Sequence, residues 1–458
     1  MTASDLKLRA PLYGVLLAGV ALRGVLFASS AVHTTLQTRP ELVTAVSAFH
    51  RVKEAAFLFE STGSPYTGDV FHQPPLVFAL FYPLFTLPES VQYVSACCAF
   101  ILVDVLVALG LARLCQRTHE LEEARVPTHD GHEIWLNKVP VSPLFATKYL
   151  PATVAMVLTI VELIKLMLSQ RYLFNPYSLA STIAMATSSL THLAVVYAMV
   201  FASEGAVAAC SLCLTTASYL SVYPIILAVP LTLVISSNHA SKVSSTALRL
   251  AVLSIFWTVM LLTLSKMLSG DWHFLEETYV WVAKYSDLTP NVGIFWYFFI
   301  EVFDRFIPYF LLVLHLHPLI YVVPIAFRLS TRPQVYATAL FGIASLFQAY
   351  PSFGDFGLFL ALMSIHPKTI AMINSRYVYA MGLAVATCMM PVMWFLWLFP
   401  ASGNANFFYN QTLVYQIFNC QLINAFVGAT MKRDKNLQLF RKRLVSNSNR
   451  ADGKTKAE

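Results

Sequence analysis

The chain is 458 residues long, 57% hydrophobic and 12% charged, whereas soluble domains carry roughly a quarter charged residues. This composition argues against a soluble enzyme. Lys and Arg outnumber Asp and Glu by 31 to 24, and nine of the bases but only three of the acids lie in 432–458. A basic run beside the last apolar segment is typical of a cytosolic topology signal, so the sequence predicts no nucleic-acid partner.

Apolar segments follow one another along the whole chain, as in a polytopic membrane protein. At roughly 20 residues per span, they predict an all-α membrane domain of about 12 spans. The predicted spans are 12–31, 91–112, 147–168, 180–202, 206–219, 222–236, 246–268, 307–327, 335–348, 355–366, 377–399 and 407–430. Several of these are too short to cross the hydrocarbon core upright, so we expect short or broken helices buried in the bundle.

Two further apolar pieces have the composition of interfacial segments. The piece 75–87 is bracketed by prolines, and we expect it to be re-entrant or interfacial. The piece 293–303 holds six aromatic residues and one acid, which suits the membrane interface. It is equally compatible with the first half of a longer span that ends near Leu316.

Loop charges orient these spans, because short cytosolic loops collect Lys and Arg. The loops 237–249, 328–332 and 367–376 contain bases and no acid, whereas 270–287 contains four acids and one lysine. The first three are predicted to be cytosolic and the last lumenal, which places both termini in the cytosol. The resulting organisation is one membrane domain over 1–431, with lumenal loops 32–74 and 269–306 and a cytosolic insertion 113–146, followed by a basic, disordered tail over 432–458.

Polar residues beside apolar segments are informative, because nothing in hydrocarbon stabilises them without a partner or ligand. In the first predicted lumenal cluster, 64–75, Asp69 and His72 lie three residues apart. A carboxylate beside an imidazole suits acid–base chemistry, and an orienting salt bridge is the structural alternative.

The second lumenal cluster is 286–291, where Asp287, Thr289 and Asn291 precede a glycine and aromatic residues. A ligand site and a helix cap explain this pattern equally well.

Two more clusters complete the predicted lumenal side. The cluster 350–355 reads as a turn at the tip of a short hairpin. In the cluster 402–409, Asn404 and Asn406 precede aromatic residues. Amides both donate and accept hydrogen bonds, so the pair suits sugar hydroxyls and phosphate oxygens, with a plain loop and helix cap as the alternative.

Motifs for other chemistry are missing from the sequence. There is no phosphate-binding G-x-x-x-x-G-K-[ST], no H-E-x-x-H and no G-x-S-x-G, so we predict neither cofactor nor metal. His129, His132 and Glu133 do not have zinc spacing and read as a solvated loop. Cys210 and Cys213 lie in an apolar stretch and read as packing residues rather than a redox pair.

Six blocks of this sequence together resemble the class U subunit of the glycosylphosphatidylinositol (GPI) transamidase. The longest and most specific is SDLTPNVGIFWYFFIEVFDRF at 286–306. The others are SPYTGDVFHQPPL at 64–76, LFNPYSL at 173–179, SVYP at 221–224, YPSFGDFGL at 350–358 and ASGNANFFY at 401–409. The insertion and the basic tail do not match well.

The resemblance implies an accessory, non-catalytic subunit in the endoplasmic-reticulum membrane, partnered by a cysteine-protease-like catalytic subunit. It also implies a GT-C-like organisation and a role in holding the GPI lipid. On this interpretation the candidate GPI-binding residues are Asp69, His72, Asp287, Thr289, Asn291, Asn404 and Asn406.

Two alternatives stay open. One is a GT-C glycosyltransferase, although the stretch after the first span has no acid until Glu41. The other is a structural scaffold without a lipid site.

Overall fold

The structure is a computed structural model that describes residues 3–125, 172–239 and 241–455. These residues form helices and no strand, apart from an isolated bridge between Ala48 and Ala186. The all-α prediction is therefore confirmed for the described residues. The predicted span 147–168 and most of the predicted insertion lie outside them.

The first half of the described chain contains ten helices longer than five residues. They are α1 (Ala3–Ala28), α2 (Ser30–Leu36), α3 (Phe49–Thr62), α4 (Pro75–Phe85), α5 (Glu89–Arg125), α6 (Pro176–Ile183), α7 (Ser188–Glu204), α8 (Val207–Leu220), α9 (Ala228–His239) and α10 (Val243–Ser269). A 3-10 turn, Tyr223–Leu227, leads into α9.

The second half begins with a π-helical turn, Glu276–Val280, and has a further 3-10 turn at Asp304–Phe306. Its α-helices are α11 (Trp281–Lys284), α12 (Phe295–Glu301), α13 (Ile307–Ile320), α14 (Val322–Leu329), α15 (Pro333–Phe347), α16 (Phe353–Ser364), α17 (Pro367–Ile370), α18 (Arg376–Leu398) and α19 (Ala405–Thr455). Helix α12 ends before the next helical segment starts, so the piece 293–303 is not the first half of a continuous span.

Within the described residues, four helical stretches are long and apolar enough to cross a membrane. They are Glu89–Glu122, Val243–Ser269, Asp304–Leu329 and Arg376–Leu398. A fifth is possible if Tyr13–Ala28 and Ser30–Leu36, which meet at 90°, form one broken span. The predicted count of twelve therefore stays a prediction.

The predicted short helices are confirmed as α8, α15 and α16, with 14, 15 and 12 residues. At 1.5 Å per residue, α16 is roughly 18 Å long and cannot cross a ~30 Å hydrocarbon core upright. Nearly all side chains of α15 and α16 are buried. Protein rather than lipid therefore surrounds these two helices, which is the condition for short helices within a membrane.

Two hydrophobic clusters hold the chain together. The larger one includes side chains of α5, α7, α8, α15, α16 and α19. The smaller one joins Phe27, Val52, Phe71, Phe100 and Phe274, so it packs the two predicted lumenal loops against helices α1 and α5. Burial of large aromatic side chains is the main force fixing these loops.

Helix α18 packs closely against α19. A Cβ at Gly382 would lie 2.3 Å from the ring of Phe418, so only glycine permits this approach. The final helix then continues to Thr455, through the basic segment that the sequence predicts to be disordered. Uninterrupted helix-compatible residues beyond the apolar part extend the helix, since no proline ends it.

Candidate functional site

The four polar clusters of the predicted lumenal side, far apart in sequence, meet in the structure. Arg51 of α3 pairs with Asp287 at 3.2 Å, although 236 residues separate them. The ring of His72 stacks on Trp281 with centroids 3.7 Å apart. Tyr350 stacks on Tyr285 at 4.6 Å, and these contacts combine three clusters into one surface.

The fourth cluster joins the same surface through α19. Tyr409 stacks on Tyr297 at 4.6 Å and meets Trp296 edge-on at 5.6 Å. The Gln416 amide donates to the carbonyl of Val292 at 2.8 Å. Segments 285–299 and 401–409 therefore form one polar and aromatic surface, which we call the rim.

His72 does not pair with the carboxylate of Asp69. Its Nδ1 lies 2.8 Å from the backbone carbonyl of Glu277, and its Nε2 lies 3.1 Å from the backbone carbonyl of Asp69. The nearest carboxylate to this buried ring belongs to Glu277, 3.8 Å away, while the Asp69 side chain is exposed. Carbonyl oxygens only accept, so the imidazole can only donate in these two contacts. Within the described residues, this arrangement joins two loops rather than forming an acid–base pair.

The Asp287 carboxylate is occupied by protein partners. One oxygen accepts from Arg51, and the other accepts from the backbone N–H of Thr289 at 2.8 Å and from the Thr289 hydroxyl. The hydroxyl of Tyr350 contacts both the N–H and the carbonyl of Asp287. Burial raises the pKa values of Tyr285 and Tyr350, so both hydroxyls stay protonated. Asp287 thus fixes the loop, but it caps no helix, because the helix that follows begins at Phe295 with Ile294 as its N-cap.

Asn291 is 1% exposed and its amide is saturated. Its Nδ2 donates to the Tyr285 hydroxyl at 3.0 Å, and its Oδ1 accepts from the N–H of Gly293 at 2.8 Å. A Cβ at Gly293 would lie 2.8 Å from Pro351, so glycine is needed where the loop meets the 350–355 turn. Asn291 therefore holds the backbone of the rim in place through buried hydrogen bonds.

The turn 350–355 begins α16 with a capping box. The Asp355 carboxylate accepts from the backbone N–H and the hydroxyl of Ser352, both at 2.8 Å. It also accepts from Gln348 at 2.7 Å and contacts His192 Nε2 at 2.9 Å. The interpretation of this cluster as a turn is thus supported, and its carboxylate has no free oxygen for a ligand.

Asn404 and Asn406 are the exposed amides of the rim. The Oδ1 of Asn404 accepts from the N–H of Phe407 at 3.3 Å, which is the geometry of an N-cap on α19. The side chain of Asn406 makes no hydrogen bond within the described residues, and the side chain of Asn404 keeps its two amide donors free. Of the predicted site residues, these two are the ones whose amide groups can reach a ligand.

Backbone strain accumulates next to these residues. Tyr285, with φ of 51°, and Ala401, with φ of 52°, are two of the three non-glycine residues with positive φ in the described chain. Each such residue costs about 1–3 kcal/mol and persists where the surroundings force it. The two flank Asp287 and Asn404, so strain marks both halves of the rim.

An apolar groove of about 630 Å³ runs along α18, the helix that leads to the rim. Its wall includes Leu360, Met363, Ile373, Leu383 and Leu422. Polar groups are few and include the Arg39–Glu41 pair, whose atoms approach to 2.8 Å. The groove offers an alkyl chain a place against protein rather than lipid.

Sequence reasoning missed the residues that hold the rim together. Arg51, Trp281 and Glu277 lie in predicted lumenal loops but carry no recognisable motif. The three bases of the first predicted lumenal loop, Arg39, Arg51 and Lys53, were a possible signal, although the partner of Arg51 could not be deduced. The described residues contain no group of three His, Cys, Asp or Glu side chains able to hold a metal, and His129, His132 and Glu133 lie outside them.

The fold and the rim together define an all-α membrane protein with a polar, aromatic rim and an apolar groove along the helix that precedes the second segment of the rim. A family model described as the GPI transamidase subunit PIG-U matches residues 17–415. The chain therefore belongs to the PIG-U family.

Curated relatives cover nearly the whole chain. The GPI-anchor transamidase component PIGU of Cricetulus griseus is 30% identical over 93% of this chain and 94% of its own length. The human protein of the same name is 29% identical over the same shares. The GPI transamidase component GAB1 of Saccharomyces cerevisiae is 27% identical over 82% of this chain and 83% of its own length.

Proposed function

We propose that this chain is an accessory, non-catalytic subunit of a GPI transamidase in the endoplasmic-reticulum membrane, where it binds and positions the GPI lipid. Membership of the PIG-U family supports the assignment to the complex. The other subunits, including a cysteine-protease-like catalytic subunit, are its proposed partners.

The single observation that supports lipid binding is the free amide pair on the rim. A GPI molecule has hydrocarbon tails and a phosphorylated glycan, so its binder needs an apolar groove and a polar rim. Asn404 and Asn406 offer donors and acceptors for the glycan, and the groove along α18 offers a surface for a tail.

The remaining predicted site residues support the rim in this proposal. Asp287, Thr289 and Asn291 fix the loop that carries Trp296 and Tyr297. His72 joins the first loop to the second through the carbonyl of Glu277, and the carbonyl of Asp69 holds the same ring from within the first loop. A rigid rim loses little entropy on binding, which raises affinity without further contacts.

Positioning is itself a catalytic contribution. Holding the amine of the GPI ethanolamine near the acyl-enzyme of another subunit raises its effective concentration. Three of the described cysteines, Cys97, Cys115 and Cys210, are buried, and a buried thiol in apolar surroundings does not suit a nucleophile, because the reactive form is the thiolate. This chain therefore needs no bond-making residue in the proposed reaction.

The test separates ligand binding from helix capping at Asn404. In cells depleted of the endogenous chain, we would express the double variant Asn404→Ser with Asn406→Ala. Serine keeps a cap acceptor at position 404, while both amides are lost. We expect reduced surface display of a GPI-anchored reporter, with normal co-purification of the partner subunits.

The matched control is Asn410→Ala, which removes another exposed amide from the first turns of α19. It should leave reporter display unchanged. Normal display in the double variant would refute the binding role of the amide pair. Loss of display together with loss of co-purification would make these residues structural.

A further inference from the structure

A second cavity, of about 580 Å³, lies away from the rim and the groove. Its walls are helices α2 and α3, the end of α4 and the start of α5. We call it the α3 cleft. Helix α2 runs at 90° to the end of α1, so α2 lies along the membrane surface if α1 crosses the bilayer. The α3 cleft therefore opens where lipid head groups lie.

One face of α3 carries charged, polar and aromatic side chains that line the α3 cleft. The α3 cleft is lined by four side chains of α3 that are three or four residues apart and so share one helix face: His50, Lys53, Phe57 and Glu60. Lys53 and Glu60 are two turns apart, which is roughly 10 Å along the helix axis. An ammonium and a carboxylate are thus held apart along one wall.

These charges have no partner in the described chain. The side chains of Lys53 and Glu60 make no hydrogen bond or ion pair within the described residues, and neither does the side chain of Glu89 on the opposite wall. Two charged pairs of the predicted lumenal loops are satisfied within the chain: Arg39 pairs with Glu41, and Arg51 pairs with Asp287. Unpaired charges of both signs facing one cavity suit a ligand that itself carries both signs.

The opposite wall is fixed by contacts to the backbone. Tyr93 donates to the carbonyl of Phe27 at 2.9 Å, and Gln92 Nε2 donates to the carbonyls of Phe85 and Leu87 at 3.0 and 2.8 Å. The Nδ1 of His33 lies 2.7 Å from the carbonyl of Ile183. That oxygen only accepts, so Nδ1 carries a proton and the ring is held in one orientation.

The floor of the α3 cleft is strained. Met185 lines it with φ of 55°, and it is the third non-glycine residue of positive φ in the described chain. The other two, Tyr285 and Ala401, lie in the rim. A left-handed methionine costs about 1–3 kcal/mol and points to a conformation fixed by its surroundings. The α3 cleft is thus a preformed cavity with rigid walls.

We propose that the α3 cleft binds a phosphoethanolamine head group. Lys53, with His50 beside it, contacts the phosphate oxygens, and Glu60 with Glu89 accepts hydrogen bonds from the primary ammonium. Charge-assisted hydrogen bonds of both kinds are roughly twice as strong as neutral ones. A quaternary choline ammonium has no N–H to donate, so the two carboxylates favour ethanolamine over choline.

Phosphoethanolamine has two sources in such a membrane. One is phosphatidylethanolamine of the bilayer, and the other is a phosphoethanolamine group on the GPI glycan. The second source rests on the proposed function, whereas the first does not. The α3 cleft is separate from the rim, so its test does not depend on Asn404 and Asn406.

The experiment uses the full chain purified with its partner subunits. We would reconstitute it in phosphatidylcholine nanodiscs containing a minor fraction of deuterated phosphatidylethanolamine, re-extract it in detergent and quantify retained lipids by mass spectrometry. We expect enrichment of ethanolamine over choline lipid. The double variant Lys53→Met with Glu60→Gln should reduce the enrichment about tenfold, as expected for losing a charge-assisted contact.

The control variant is Glu54→Gln, which neutralises an exposed carboxylate of α3 that does not line the cleft. It should retain the wild-type enrichment, and size-exclusion profiles should match for all variants. Equal retention of choline and ethanolamine lipids, or unchanged enrichment in the double variant, would overturn the proposal.

The source is decided in cells that cannot add phosphoethanolamine to GPI. Extraction from such cells in mild detergent should still yield bound phosphatidylethanolamine if the bilayer is the source. An empty cleft in these cells, but not in unmodified cells, would identify GPI as the ligand. If reporter display fails in the rim variant while lipid retention persists, the two proposals are separated.

Discussion

The buried ion pair between Arg23 of α1 and Asp104 of α5 should be among the most sensitive points of the fold. The side chains are 0% and 2% exposed, and Arg23 Nη2 lies 2.6 Å from Asp104 Oδ2. Arg23 also donates to the carbonyl of Leu173 at 2.8 Å. Asp104 accepts from the hydroxyls of Tyr172 and Thr182. The pair therefore connects α1 and α5 to α6 and to the residues just before α6.

Removing one member leaves the other charge buried without its counter-ion. Arg23→Met should lower the free energy of unfolding by about 3–5 kcal/mol, the usual cost of breaking a buried pair. Asp104→Leu should cost a similar amount, because Arg23 keeps its carbonyl contacts but loses its carboxylate. The double variant removes both charges and orphans mainly the Tyr172 hydroxyl, so it should cost about 1–3 kcal/mol.

The assay is reversible unfolding in mixed micelles titrated with a denaturing detergent, followed by far-UV circular dichroism. The matched control is Arg113→Met, which breaks the pair with Glu204 at 2.6 Å, where the arginine is 53% exposed. An exposed pair contributes about 0–1 kcal/mol. A double variant that costs the sum of the single variants, or an Arg23→Met change below that of the control, would refute the reasoning.

Three further results are expected. A glycosylation acceptor engineered near Glu276 should be modified, and one near Gly131 should not, as judged by a gel shift; the reverse would invert the predicted topology. Depleting the chain should leave complete GPI lipids to accumulate, as seen by thin-layer separation, whereas a mannose-deficient intermediate would favour a glycosyltransferase. Burial lowers the pKa of His366 from 6.5 to about 4, against the raising effect of Glu122, so the unfolded chain binds the proton more readily. Stability should therefore fall by up to about 3 kcal/mol as pH drops from 6.5 to 4, and His366→Gln should flatten this part of the thermal-unfolding profile against pH.

Much of the secondary structure could be predicted from the sequence, because hydropathy and helix length are local properties. The predicted segments 206–219, 335–348 and 355–366 correspond to α8, α15 and α16 within a few residues. The short length of α16 already implied burial in protein, since lipid cannot satisfy free backbone groups at a helix end.

The sequence also located the polar clusters beside the membrane segments. A polar residue at an apolar boundary is visible without any contact being known. Asn404 and Asn406 were found in this way, as were Asp287 and Asn291. Their residue types determined which hydrogen bonds they were able to make.

Only the tertiary structure decided which of these groups stay free. Asp287 is paired with Arg51 across 236 residues, and the nearest carboxylate to His72 is Glu277 rather than Asp69. Such partners are chosen by the packing of distant helices, which no local pattern encodes. The amides at 404 and 406 stay exposed because α19 begins at the surface, whereas the amide of Asn291 is enclosed where its loop packs against Tyr285 and the 350–355 turn.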